Sequence, residues 1–199
     1  MLEKLQLLKD SQLLLYCLVH LMFELAYDLP NTFLPELMFK DHKFPKSVKG
    51  TIMAVFGISQ IVGNLPSIII AKFCKKKLVI ISAITMVCIG CACIGLAFCS
   101  RYEIFIVVTI ALGLFWQSTD YYIVHILKDM YGIIGDKFQD AYGLVMLAKV
   151  PGPSLGPPLA GALHDFFGGY YITFYSAAIF LYIAALFNFL LFFIRLSKK

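Results

Sequence analysis

Charge is scarce in this sequence, and what there is of it is gathered into short clusters. Asp, Glu, Lys and Arg make up 15% of the 199 residues, against about a quarter in soluble globular domains. Between the clusters run apolar stretches longer than the roughly 18 to 20 residues that a bilayer-spanning helix needs. A water-soluble core has no use for such stretches repeated along one chain. The sequence also lacks a Gly-rich phosphate loop, a His and Cys cluster at metal-ligand spacing in a polar setting, and a soluble stretch large enough to hold either. Enzyme chemistry, a resident metal and a cofactor are therefore not expected. The six cysteines, Cys17, Cys74, Cys88, Cys91, Cys93 and Cys99, lie in or beside apolar segments, so they do not form the paired polar pattern of a disulfide framework. The run Cys88 to Cys93 looks like a redox or metal pattern only until its setting is noted. It falls in the middle of an uncharged apolar span, where small polarizable side chains pack closely.

What is abundant is hydrocarbon: 60% of residues are apolar and the mean hydropathy is +0.83. Six spans emerge, at about Gln12 to Pro35, Val48 to Lys72, Leu78 to Phe98, Ile104 to Lys128, Ala141 to Leu163 and Ile172 to Ile194. They predict an all-α integral membrane protein, a single six-helix transmembrane domain over residues 1–199 whose partner is the lipid bilayer. A net charge of +5 suggests nucleic acid in a soluble chain, but here the basic residues sit in the loops between spans and read as topology signals. Lys4, Lys9, Lys72, Lys75, Lys76, Lys77, Lys128, Lys137, Arg195, Lys198 and Lys199 fall on the face shared by the termini. Only Lys40, Lys43, Lys46, Lys49 and Arg101 fall on the other. Eleven against five places both termini in the cytoplasm.

The spans differ in character. The third and sixth carry no charged residue and read as outer scaffold needing no polar partner. The other four hold His20, Glu24, Asp28, Gln60, Asn64, Asp120, His125 and Lys149, and a charge at a helix centre costs about 2.5 to 3.5 kcal/mol on insertion scales. These four are expected to line an interior or a wet cavity. His20 and Glu24, four residues apart, suit a proton relay, although a hydrogen bond from His20 to a neighbour is the plainer expectation. Phe115 and Trp116 could touch a solute or simply pack. The fifth span interleaves Pro151, Pro153, Pro157 and Pro158 with Gly152 and Gly156, so no unbroken helix is expected from Gly143 to Gly161. Such a segment is a candidate gate, or merely a kink in a packed helix.

Depth can be reckoned from the 1.5 Å rise per residue. Asn64 lies eight residues above Lys72, Asp120 eight above Lys128 and Lys149 eight above Ala141, which sets all three about 12 Å inside the boundary. An acid and a base at one level make Asp120 and Lys149 candidates for an ion pair, the alternative being a Lys149 that snorkels alone.

The segment LGPPLAGALHDFFGGYY (Leu155 to Tyr171), with AYGL (Ala141 to Leu144) upstream, resembles the eleventh helix of the monocarboxylate transporter family of the major facilitator superfamily. YDLPNTFLPE (Tyr27 to Glu36) is similar to the outer end of that family's seventh helix, and FGISQIVGNLPS (Phe56 to Ser67) to its eighth. The resemblance implies the carboxy-terminal six helices of a twelve-helix bundle, secondary transport of a small organic anion or related solute, and a plasma-membrane location. It also implies a missing amino-terminal half, or another transporter chain, as partner. Lactate carriers of the family place an Asp and, four residues on, an Arg in the eighth helix; those positions here are Gln60 and Asn64. The carboxylate-gripping cation is gone, which makes Lys149 its candidate replacement. The same loss motivates an alternative function, a non-transporting chain that binds or modulates a full transporter.

The topology is checked by single cysteines at Lys43 and Lys198 in an otherwise cysteine-free chain. An impermeant reagent added outside intact cells should label position 43 and spare 198; the reverse pattern means an inverted protein.

Overall fold

The computed structural model of the chain describes residues 7, 9–99, 101–132 and 136–197. Of the basic residues that set the topology, Lys4, Lys198 and Lys199 lie outside them. All regular structure among the described residues is helical: α1 (Ser11–Glu36), continued by a π-helical turn (Leu37–Asp41), α2 (Lys46–Phe73), a 3₁₀ turn (Lys75–Lys77), α3 (Leu78–Phe98), α4 (Tyr102–Tyr131), α5 (Asp136–Lys149), α6 (Pro151–Phe167) and α7 (Tyr171–Ser197). Helix limits follow local chemistry. The Asp10 carboxylate accepts the Gln12 N–H at 3.0 Å and caps α1. Gly168, at φ +78°, turns the chain left-handed after α6 while its N–H reaches the His164 carbonyl at 2.7 Å.

α1, α2, α3, α4 and α7 are each long and apolar enough to cross a membrane. The remaining crossing is shared by α5 and α6, of 14 and 17 residues. α1 stands at the centre and packs on α5, α6 and α7, while α3 joins α7 to α4 and α4 carries α2. Tyr16, Phe23, Phe105, Trp116, Tyr122 and Phe174 fill the space between them and are fully buried.

α2 leans on α4 by its small residues. A methyl on Gly63 would collide with the Leu114 carbonyl, and one on Gly113 would stand 2.7 Å from the Ser59 side chain. With its small face spent on that contact, α2 turns Ile58, Ile61, Val62, Leu65 and Ile69 outward.

One expectation needs correction. The third span, α3, is not outer scaffold: half of its apolar window is buried, as much as in α1, whereas α2 is the least covered at 28%. Nor do the uncharged helices do without polar partners. Fully buried Asn188 of α7 donates to Ser82 of α3 at 3.2 Å. Thr85 lies 3.3 Å from Thr119 of α4, and Ser67 of α2 donates to Ser118 at 2.7 Å. Lack of formal charge is not lack of polarity, because Ser, Thr and Asn can bond within their own helix or across to a neighbour.

The interruption expected in the proline-rich fifth span is present. The break is confined to Val150, whose N–H folds back to the Leu147 carbonyl at 3.2 Å, and α6 runs unbroken through Pro157 and Pro158. Pro151 and Pro153 occupy the first turn of α6, where no intrahelical donor is required. Pro157 and Pro158 leave the carbonyls of Pro153 and Ser154 without their usual donors, but Pro153 and Ser154 lie on the exposed side of α6. The Ser154 hydroxyl returns a hydrogen bond to the Val150 carbonyl at 3.3 Å.

The α2 to α4 contact predicts a contrast between two substitutions on one helix. Gly63→Ala should lower stability by about 1 to 3 kcal/mol through overpacking, seen as a lower thermal midpoint in detergent. Gly57→Ala, with nothing within 4 Å of the new methyl, should be neutral or slightly stabilising.

Candidate functional site

On α1 the polar residues His20, Glu24 and Asp28 recur every four positions, so they share one helical stripe. That stripe faces α6, whose glycines have the same spacing. A methyl on Gly152 would stand 2.6 Å from the Glu24 β-carbon and 2.8 Å from its backbone carbonyl carbon; one on Gly156 would stand 3.0 Å from the Asp28 β-carbon. The two glycines thus let the α6 backbone press onto α1 at the two carboxylate-bearing residues. Larger side chains would hold the helices apart.

Lys149, the last residue of α5, reaches into the same space. Its Nζ lies 2.6 Å from Glu24 Oε1 and 2.7 Å from Asp120 Oδ1 of α4, so one ammonium ties together three helices. The side chains are 18% exposed for Lys149, 10% for Glu24 and 31% for Asp120. At such burial charge-assisted hydrogen bonds count for more than at a surface. The cluster carries two carboxylates to one cation. Asp28 adds a third acid a turn away, with its Oδ2 buried and without a hydrogen-bond partner among the described residues.

Aromatic rings wall the cluster. Trp116 packs on Phe23 and Tyr27 with centroids 5.7 and 4.8 Å apart and is 1% exposed, which makes it core rather than a solute contact; its neighbour Phe115 is 38% exposed. His20 is fully buried, its ring edge-on to Tyr16 at 4.6 Å, and neither ring nitrogen has a hydrogen-bond partner among the described residues. The expected hydrogen bond from His20 to a neighbour is therefore not formed, because its surroundings are aromatic. Cys93 is buried and Cys91 Sγ lies 3.5 Å from the Tyr182 hydroxyl, a packing environment between α3 and α7.

Of Glu24, Gln60, Asn64, Asp120 and Lys149, the polar positions expected to meet a solute, Glu24, Asp120 and Lys149 are brought together. Gln60 sits at the α2 to α4 contact beside Gly113 and Tyr27, its Nε2 buried and without a hydrogen-bond partner among the described residues. Asn64, half-buried on α2, makes no hydrogen bond or ion pair to the cluster among the described residues. Sequence reasoning gave Lys149 one acid where it has two, and did not connect Glu24 and Asp28 with Gly152 and Gly156. Equal four-residue spacing of acids on one span and glycines on another was the available signal.

The geometry ranks two substitutions. Lys149→Met leaves Glu24 and Asp120 facing each other with no cation, and should cost about 3 to 5 kcal/mol, the usual loss on breaking a buried pair. Asp120→Asn leaves Lys149 with Glu24 and should cost clearly less. Thermal unfolding of both variants in one detergent checks the order; equal midpoints would mean that Lys149 does not hold the cluster.

Known proteins agree with this architecture. The chain is 27% identical over 158 residues to monocarboxylate transporter 9 of Mus musculus, which covers 78% of this chain and 30% of that protein. The Pongo abelii protein of the same name is 28% identical over 159 residues, covering 76% and 30%. The chain thus spans about a third of the length of these curated relatives. In fold it is similar to a solved structure of the Escherichia coli fucose:proton symporter, with a TM-score of 0.76 at 12% identity, covering 94% of this chain and 44% of that one. The six-helix domain corresponds to half of such a bundle. The sequence pattern of the Major Facilitator Superfamily matches residues 16–199, and the chain belongs to that superfamily, a family of transporters rather than enzymes.

Proposed function

We propose that this chain forms the carboxy-terminal half of a secondary transporter that moves a small organic anion or related solute across the plasma membrane, with both termini in the cytoplasm. The observation that carries the proposal is Lys149 held between Glu24 and Asp120 on three helices. It is a buried cation in a chain whose family position for a carboxylate-binding Arg is the neutral Asn64. Buried ionisable groups in membrane helices mark solute and proton paths more often than scaffold. The solute carboxylate would draw on Lys149, with Gln60 and Asn64 as neutral donors from α2.

Charge balance then dictates a second passenger. An anion that draws Lys149 away leaves Glu24 and Asp120 unneutralised in a poorly polarizable interior, where uncompensated charge is expensive. A proton taken up by either carboxylate removes that cost, so anion and proton travel together even though Gln60 and Asn64 carry no charge. The α5 to α6 break at Val150, with Pro151, Gly152, Pro153, Gly156, Pro157 and Pro158 beyond it, supplies the gate. Because Gly152 rests on the Glu24 backbone, a tilt of α6 moves the support of a carboxylate that holds Lys149. The amino-terminal half, or another transporter chain, closes the solute path. The neutral Gln60 and Asn64 favour one other reading, a chain that carries nothing and modulates a complete transporter.

Uptake of labelled lactate and other small organic anions into vesicles separates the two readings. The chain reconstituted with an amino-terminal half from a monocarboxylate transporter should take up at least one such anion, faster under an inward proton gradient, and Lys149→Gln should abolish it. Failure of every anion tried, together with altered transport by a co-reconstituted complete transporter, would establish the modulating role instead.

A further inference from the structure

The end of the bundle that carries Tyr131 and Ser197 holds a second concentration of charge, independent of the solute site. Three cavities meet there, where the 3₁₀ turn after α2 passes the last turns of α4 and α7. One of about 490 Å³ follows the run from Lys72 to Lys77. A second, of about 220 Å³, lies between Lys75 and Lys128 with His125 on its wall. The third is bounded by Lys76, Arg195, Phe192 and Leu196.

One acid, Asp129, borders the second and third cavities, and it is already occupied by the Arg195 guanidinium at 2.5 Å. Among the described residues no carboxylate comes within ion-pair distance of Lys72, Lys75, Lys76, Lys77 or Lys128. Five ammonium groups around one corner repel each other, and a bound anion would relieve them. The corner is also apolar on its bilayer side. Phe73 is 78% exposed and Leu196 53%, the Lys72 ammonium stands 5.9 Å from the Phe73 ring centre, and Val79 and Phe192 continue the surface into the groove. A free phosphate would have no use for that half of the site. At the other end of the bundle, by contrast, Lys40 is already paired with Glu36 at 3.2 Å.

We propose that this corner binds the phosphate-bearing headgroup of an anionic membrane lipid, with Lys75, Lys76 and Lys128 on the headgroup and the acyl chains along Phe73, Phe192 and Leu196. Basic pockets between helix ends at a membrane face are suited to such headgroups. The site fastens the 3₁₀ turn to the ends of α4 and α7 by way of the lipid, where the described residues supply these lysines no counter-charge.

Native mass spectrometry of the full chain in a neutral detergent tests the site, with phosphatidylinositol bisphosphate and phosphatidylcholine as probes. The bisphosphate lipid should remain bound at energies that strip phosphatidylcholine. Lys75→Gln with Lys128→Gln should weaken retention by roughly twenty-five-fold, since each interfacial lysine contributes a factor of roughly five. The corresponding Arg pair should keep the lipid, and Lys43→Gln with Lys49→Gln at the opposite end should change nothing. Should the Gln pair fail to fold, loss of lipid from the unaltered chain on raising salt supplies the same discrimination. The proposal is overturned if both lipids are retained equally, if the Gln pair holds the lipid as well as the unaltered chain, if salt has no effect, or if soluble inositol bisphosphate displaces the lipid at equal concentration, which would make the corner a free-anion site.

Discussion

A lysine among apolar helices is tolerable only if its charge is met, and the centre of this half-bundle is arranged around that requirement. Lys149 ends α5 at the one place where the fifth crossing breaks, and its ammonium is met by Glu24 of α1 and Asp120 of α4 at 2.6 and 2.7 Å. The two carboxylates outnumber it, so the cluster holds one more acid than base. The break itself is orderly because Pro151 and Pro153 start α6 where their missing N–H groups are not needed. Gly152, between them, lets α6 close onto the backbone of Glu24. Helix break, close helix approach and charge cluster are thus one construction, in which a larger residue at 152 would separate the helix that supplies the acid from the helix that follows the base.

How much of this could be read in advance depended on what kind of signal each feature leaves. Hydropathy marks long spans well: α3 runs from Leu78 to Phe98, the limits its composition suggests. The Asp120 to Lys149 pair was legible because both residues lie eight positions from a recognisable boundary and the resembled family brings their helices to one cavity wall. Glu24 was harder. It stands twelve residues above Gln12, about 18 Å by helical rise and some 6 Å from the level of the other two, a gap that the long Glu and Lys side chains close once α1 and α5 are neighbours. Rise along one helix says nothing of which helices are adjacent. The same limit hid the polar seam through Asn188, Ser82, Thr85 and Thr119, since uncharged polar residues leave little mark in hydropathy and their partners sit on other spans.

The proline-rich span shows a different limit. Counting prolines predicts that the helix breaks between Gly143 and Gly161, as it does, but the place of the break depends on where each proline falls in the hydrogen-bond ladder. Four prolines within eight residues produce a single interruption at Val150 because two of them occupy a first turn and the other two free carbonyls on the exposed side of α6. Position within the turn, which sequence fixes only when the helix start is known, decided the outcome.

The distribution of fastenings shows where the half-bundle can yield. At one end the Tyr171 N–H donates to Asp41 at 2.9 Å, Lys40 donates to Tyr170 at 3.3 Å, and Tyr170 is stacked between Phe33 and His164, with centroids 5.5 and 4.1 Å away. These contacts bind the π-helical turn after α1 to the start of α7 and the end of α6. At the other end Tyr131 donates to Asp10 at 2.6 Å and Arg195 pairs with Asp129, binding α1, α4 and α7. α2 takes part in neither set and is held to α4 by the close contacts of Gly63 and Gly113 and the Ser67 to Ser118 bond. The inner end of α6 is likewise free of both, since its first turn follows the break and is held to α1 by packing alone. Packing between smooth glycine surfaces and a neighbouring backbone resists separation by dispersion forces but has few specific bonds to break on sliding. The two elements with fewest directional ties, α2 and the start of α6, are therefore those that border Gln60, Asn64 and the Lys149 cluster, and displacement is cheapest where the buried charges lie.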